Sequence, residues 1–207
     1  MTRSSVETLV YGLQQLALDP ALLDSLEQYL ALLQKWNRVH NLVGTRGAKD
    51  IVTRHILDCL SVVDHLAPHR RIIDLGSGAG LPGLMLALAL PENELVLLEG
   101  QAKRAGFLRQ AVLELKISNA SVVEAPVLAL PDAGRFDAVV ARAFGSLSKV
   151  LSASDGLCVA RAPVYVMKGK VPRSEIEAVR LNKVKVTLHR LHVPGLSAER
   201  HLVVMGA

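Results

Sequence analysis

The sequence predicts a doubly wound α/β sheet preceded by a helical extension, and three observations predict it. From residue 71 onward, short apolar segments alternate with helical stretches, the pattern of a mainly parallel sheet covered on both faces. A glycine-dense loop, 74–83, follows the first of these segments and opens a helix. Residues 1–66 carry apolar positions at helical spacing and no strand pattern. The expected division is therefore a helical N-terminal extension over 1–66 and a sheet-bearing domain over 67–207.

Taken in order, Leu22, Leu26, Tyr29, Leu30, Leu33 and Trp36 recur on one helix face, started by Asp19-Pro20. Residues 37–47 break the period and read as an ordered loop, with Asn41 a candidate to fasten it through its side-chain amide. A second helix is expected over 49–66, ended by Ala67-Pro68. The period then changes. Residues 71–75, 95–99, 121–124, 137–141 and 164–167 read as strands, and 81–90 and 103–115 as helices. Pro82 falls in a first turn, where its missing N–H does no harm. The last two apolar segments, 184–193 and 201–205, flank Pro194-Gly195 and are expected to pair antiparallel at one side of the sheet.

Composition narrows the class. Half of the 207 residues are hydrophobic and only 3% aromatic, so the core must be aliphatic. The longest apolar run, Leu84 to Leu90, is far shorter than the roughly 20 residues of a membrane span. No signal-peptide pattern opens the chain, and Cys59 and Cys158 stand alone, so we expect a cytoplasmic monomer with no metal. The net charge of +5 is uneven: 151–207 carries nine Lys/Arg against four Asp/Glu, and the remainder is balanced. A local basic excess attracts phosphate, which makes a nucleic acid a plausible partner.

The strongest motif is Asp74-Leu-Gly-Ser-Gly-Ala-Gly-Leu-Pro-Gly83. Its glycines let a ligand lie against bare main chain, and the helix start adds partial positive charge. Glu99 ends the next strand, where a carboxylate can accept both hydroxyl hydrogens of a ribose. Gly78, Gly80 and Gly83 also satisfy the spacing of nicotinamide-dinucleotide folds. Two features favour S-adenosylmethionine instead. Asp74 puts a carboxylate beside the place for a cationic methionine group, and Leu81-Pro82 stands where a pyrophosphate-binding turn would need free N–H groups. The candidate cofactor residues are thus Asp74, Gly76, Gly78, Leu81 and Glu99.

Further motifs run in order along the chain: Trp36-Asn37, Asn41-Leu42, Arg54-His55-Ile56-Leu57-Asp58, Lys103-Arg104 with Phe107-Leu108, Arg142-Ala143-Phe144, Lys168-Gly169 and Glu199-Arg200-His201-Leu202. With the glycine loop and its Leu-Pro-Gly ending, they resemble the RsmG (GidB) family of bacterial methyltransferases. That resemblance implies a Rossmann-like class I methyltransferase fold. It also implies S-adenosylmethionine as methyl donor and N7 of a guanine in small-subunit (16S) ribosomal RNA, naked or in a ribosomal particle, as acceptor. The implied cofactor pocket falls on Gly76, Leu81, Val127, Leu128 and Arg142. Pro126 and Leu128 stand where the family commonly has an arginine and a glutamate, which removes side-chain contacts there and leaves backbone contacts to the adenine.

Omissions agree with an N7 acceptor, which has a free lone pair and no proton to lose. The chain has no Asn/Asp-Pro-Pro-Tyr/Phe segment for holding an exocyclic amine, and neither cysteine lies in a Pro-Cys or Thr-Cys setting for attack on a pyrimidine. Positioning is then the main requirement, and Arg142 and Lys168 are its candidates. Lys168, Lys170, Arg173, Arg200 and His201 are the candidate RNA contacts. Arg54, His55 and Asp58, a helical turn apart, are expected to fasten the helices to the sheet, and Trp36 to join the core. A small-molecule methyltransferase and a non-catalytic cofactor- or ribosome-binding module are the alternatives.

Overall fold

The computed structural model describes residues 4–45, 47–126, 135–159 and 162–206. The helical extension comes first. Helix α1 (Ser5–Gln15) starts at a capping box in which Ser4 and Glu7 satisfy each other's backbone N–H groups. Helix α2 (Leu22–His40) follows a turn in which Asp19 Oδ1 accepts from Ala21 N at 2.8 Å. It ends at Asn41 in the left-handed conformation.

The second helix expected over 49–66 is not continuous. It runs as α3 (Ala48–Ile51), a π turn (Val52–Ile56), α4 (Leu57–Leu60) and α5 (Val63–Leu66). The break after Leu60 has a local cause: the Ser61 hydroxyl donates back to the Asp58 carbonyl at 2.6 Å. Wide turns of the π kind often accompany functional sites, and this one carries Arg54 and His55.

Seven strands form one sheet in the order β3-β2-β1-β4-β5-β7-β6. Strands β1 (Arg71–Leu75), β2 (Glu94–Glu99), β3 (Ala120–Glu124), β4 (Ala138–Arg142) and β5 (Val164–Lys168) are parallel. The expected terminal pair exists as β6 (Val186–Leu191) and β7 (Arg200–Met205). β7 inserts beside β5 and leaves β6 at the edge, because β7 is apolar enough to be buried along most of its length and β6 is not.

Alternation along the strands builds two cores. Ile72, Leu95, Leu97 and Val140 face α6 (Gly83–Ala89), α7 (Ala102–Glu114) and the N-terminal helices. Ile73, Val96, Leu98 and Val139 face α8 (Leu147–Ser154) and α9 (Arg173–Leu181). The sheet is therefore covered on both faces, and the extension shares a continuous core with it. Trp36 joins this core edge-on to Phe107 and donates from Nε1 to Gln110 at 3.1 Å. Among the described residues no helix is long and apolar enough to cross a membrane, and no His/Cys/Asp/Glu group could hold a metal ion.

Candidate functional site

The parallel strands β1, β2, β4 and β5 all end on one side of the sheet, and the chemistry gathers there, as in open α/β sheets generally. Two cavities open at these strand ends. The smaller, about 190 Å³, is walled by the glycine loop from Gly76 to Leu81, by Leu42 and Val43, and by Arg104. The larger, about 490 Å³, lies between the π turn and the tips of β5 and β7. Arg142 and Ala143, at the end of β4, belong to both walls.

The glycine loop is held from three sides. Gly83 N donates to Asp74 Oδ2 at 2.9 Å, Gly78 N donates to Glu99 Oε2 at 2.9 Å, and the Tyr29 hydroxyl donates to the Ala79 carbonyl at 2.7 Å. The N-terminal helices therefore position the loop through Tyr29, whose role its apolar periodicity concealed. Gly83 admits no side chain, because a Cβ there would run into Leu97 and Asp74. Gly76 has φ +68° and packs so closely on Phe144 that a Cβ would lie 2.7 Å from its ring.

The two carboxylates are more enclosed than their expected roles suggest. Asp74 is 1% exposed and caps the start of α6. Burial pushes its pKa up to about 6, opposed by hydrogen bonds that include the Gly83 amide. Its Oδ1 is buried without a hydrogen-bond partner. Glu99 is 4% exposed, and its second oxygen accepts from Gln101 N at 2.9 Å. Each Glu99 oxygen keeps a further lone pair for a hydroxyl hydrogen. An orphaned carboxylate oxygen, a bare-backbone loop and a carboxylate at the next strand end together fit a cationic nucleoside-bearing group. Val127 and Leu128, also expected at this site, lie outside the described residues.

The larger cavity is built on side chains. Asp58 is 3% exposed and takes two arginines: Arg142 Nη1 donates to Oδ2 at 3.0 Å, and Arg200 Nε lies 3.1 Å from Oδ1. Burial raises the Asp58 pKa, and the two guanidiniums oppose that rise. Arg142 also donates from Nη2 to His55 Nδ1 at 3.0 Å. His55 Nε2 lies 2.8 Å from the Thr45 hydroxyl. Burial, then Arg142, Arg200 and Arg54, push His55 down to about 4. The cluster that spacing assigned to fastening does bridge helix and sheet, and it also lines the cavity.

Other expected residues divide. Lys168 and Arg200 line the larger cavity, with Lys168 paired to Glu175 at 2.9 Å and donating to the Gly145 carbonyl at 3.0 Å. Lys170 and Arg173 are exposed and outside its walls. His201 is 5% exposed and its Nδ1 lies 2.8 Å from the Gly169 carbonyl, so its ring secures a turn rather than facing a surface ligand. The loop after α2 is fastened by Asn37, not by Asn41. The Asn37 amide donates to the Thr45 carbonyl at 3.1 Å, and its carbonyl oxygen accepts from Val43 N at 2.9 Å. Cys59 is buried and its thiol is pushed up to about 12, which leaves it inert as a nucleophile.

Residues 22–203 match the family described as rRNA small subunit methyltransferase G. The Ribosomal RNA small subunit methyltransferase G of Methylobacillus flagellatus is 44% identical over 97% of this chain and 98% of its own. That of Idiomarina loihiensis is 43% identical over 87% of this chain and 88% of its own. A SAM-dependent methyltransferase from Aquifex aeolicus has a TM-score of 0.59 at 14% identity, covering 76% of this chain and 93% of its own. The O-methyltransferase TomG from Streptomyces achromogenes has a TM-score of 0.56 at 16% identity, covering 88% and 89%. At those identities the structural likeness concerns the fold: the class I methyltransferase sheet with helices on both faces.

Proposed function

This chain belongs to the rRNA small subunit methyltransferase G family, and we propose that it transfers the methyl group of S-adenosylmethionine to N7 of a guanine in small-subunit (16S) ribosomal RNA. The observation that carries this reading is the pair of cavities meeting at Arg142 and Ala143. One is walled largely by the glycine loop, which Asp74 and Glu99 hold from behind; the other is lined by the cationic side chains of Arg54, Lys168 and Arg200. In this reading the first takes the methyl donor and the second takes the RNA, so donor and acceptor meet across a shared wall.

When bound, S-adenosylmethionine supplies an electrophilic methyl on a sulfonium. The residues of this chain do the positioning. Gly76, Gly78 and Leu81 offer a floor, the free Asp74 Oδ1 offers an acceptor to a cationic group, and Glu99 offers its remaining lone pairs to ribose hydroxyls. Arg142, fixed by Asp58 and His55, orients what lies on either side of it. Lys168 and Arg200 attract phosphate at the cavity mouth, with Lys170 and Arg173 exposed nearby in sequence. Residues 1–66 serve as the extension that carries His55 and Asp58 to the strand tips, and 67–207 as the cofactor-binding domain.

N7 attack needs no proton removed, and the site agrees. Among the described residues of the larger cavity, the groups with base character are Asp58 and His55. The first is paired to two arginines, and both ring nitrogens of the second are engaged. Alignment therefore supplies the rate enhancement. We further expect a monomer working in the cytoplasm.

The test is transfer of labelled methyl from S-adenosylmethionine to small-subunit RNA and particles from cells lacking this protein, followed by nucleoside analysis. Label in 7-methylguanosine is the expected result. Label in another nucleoside would remove the N7 assignment. No label, with saturable cofactor binding shown separately, would favour a binding role.

A further inference from the structure

The larger cavity contains a relay that methyl transfer by itself does not require. It runs from Asp58 through Arg142 and His55 to Thr45, with steps of 3.0, 3.0 and 2.8 Å. A guanidinium has donors only. His55 Nδ1 must therefore accept from Arg142, which puts the single proton of the neutral ring on Nε2. That proton is donated to the Thr45 oxygen. The depressed basicity of His55 agrees with a neutral ring at neutral pH.

The consequence falls on Thr45. Its oxygen receives from His55, so its own O–H cannot point at the ring, and no described residue accepts from it. The hydroxyl lines the larger cavity. Its loop is not free to swing away, since Asn37 holds both the Thr45 carbonyl and Val43 N. The same short loop reaches the smaller cavity through Leu42 and Val43.

The rest of the cavity has the same polarity. Arg54, Arg142, Lys168 and Arg200 are donors, and the carboxylate of Asp58 is turned to two arginines. Met167 and Ala143 add apolar surface for a ring face. The N7 edge of guanine presents two adjacent acceptors, N7 and O6, whereas adenine and cytosine present amine donors on the corresponding edge.

We propose that Thr45 is a specificity-determining residue whose hydroxyl donates to O6 of the target guanine, turning the neighbouring N7 toward the Arg142–Ala143 wall. This rests on the function proposed above and adds the residue that reads the base. The Asp58–Arg142–His55 relay sets the direction of the Thr45 proton and acts as a positioning device.

The experiment compares the wild type with Thr45→Val and Thr45→Ser on two reconstituted small-subunit particles. One carries guanosine at the methylated position and the other 2-aminopurine, which keeps N7 and lacks O6. Binding of S-adenosylhomocysteine is measured for each protein and is expected to be unchanged. Thr45→Val is expected to lower kcat/KM on guanosine about tenfold, the size of one lost hydrogen bond, and to leave 2-aminopurine unchanged. Thr45→Ser is expected to retain the preference for guanosine. Equal losses on both particles, or no loss on either, would overturn the proposal. So would a Thr45→Ser protein that binds S-adenosylhomocysteine and does not prefer guanosine, an arm that stands even if the valine variant does not fold. A wild type that methylates neither particle would instead remove the functional reading underneath.

Discussion

The two cavities solve the same electrostatic problem in opposite ways. Around the glycine loop, the carboxylates Asp74 and Glu99 are answered by backbone amides from Gly83, Gly78 and Gln101. Around the larger cavity, Asp58 is answered by the side chains of Arg142 and Arg200. Backbone partners arrive with the fold and cannot be mutated away. Side-chain partners come from two distant segments, and each can be removed singly. The glycine-loop region should thus resist substitution of neighbours, and the larger cavity should depend on every member.

The largest expected effect follows from breaking the side-chain solution. Asp58→Ala leaves two largely buried guanidiniums facing each other with no counter-charge. Loss of one partner from such a group costs about 3–5 kcal/mol, measurable by denaturant unfolding. A loss under about 1 kcal/mol would mean that solvent already screens the cluster, and the contrast between the two regions would fail.

The next sharpens the backbone solution through pH. Asp74 keeps its proton in the folded chain up to about 6, whereas the unfolded chain releases it near 3.8. The folded state therefore holds more protons across that window, and stability falls as pH rises through it. The shift corresponds to about 3 kcal/mol. Subtracting the unfolding free energies of Asp74→Asn from those of the wild type should show that decline. His55 has the opposite sign: its folded pKa of about 4 lies below the usual 6.5, so its contribution is present above 6.5 and is lost as pH falls toward 4. A His55→Gln difference curve should rise with pH over that range. Two curves of the same slope would contradict the opposite directions in which burial shifts the two groups.

The smallest effect concerns the rim. Arg54 is half-exposed and pairs with Asp50 at 3.4 Å within one helical turn. Arg54→Ala should change stability by no more than about 0.5 kcal/mol. If Arg54 meets a phosphate, the variant should also reduce the salt dependence of RNA binding by about one unit of slope. An unchanged slope in a binding titration would place the RNA path elsewhere.

The same contrast explains what was legible in the sequence. The glycine loop is contiguous, so its motif, the strand before it and the carboxylate of Glu99 could be read directly. Strand alternation was equally plain, because Ile72 and Ile73 or Leu95 and Val96 serve opposite faces. The larger cavity was not legible as a unit. Arg54, His55 and Asp58 showed helical spacing, but nothing local indicates that Arg142 and Arg200 come to meet them. Asn37 was hidden because a helix-face position gives no sign that its amide reaches the next loop. His201 misled because a polar residue in a basic segment reads as exposed, whereas β7 buries it. The interrupted helix over 48–66 kept its apolar periodicity through the π turn, which spacing alone does not resolve.

On the function proposed above, the glycine-loop cavity holds the methyl donor and the larger cavity holds the acceptor, with Arg142 and Ala143 between. A crystal structure with S-adenosylhomocysteine tests it most directly. The nucleoside is expected against Gly76, Gly78 and Leu81, its ribose at Glu99 and its sulfur toward the Arg142–Ala143 wall. Density for the ligand between His55 and Arg200, with the glycine loop uncovered, would contradict it.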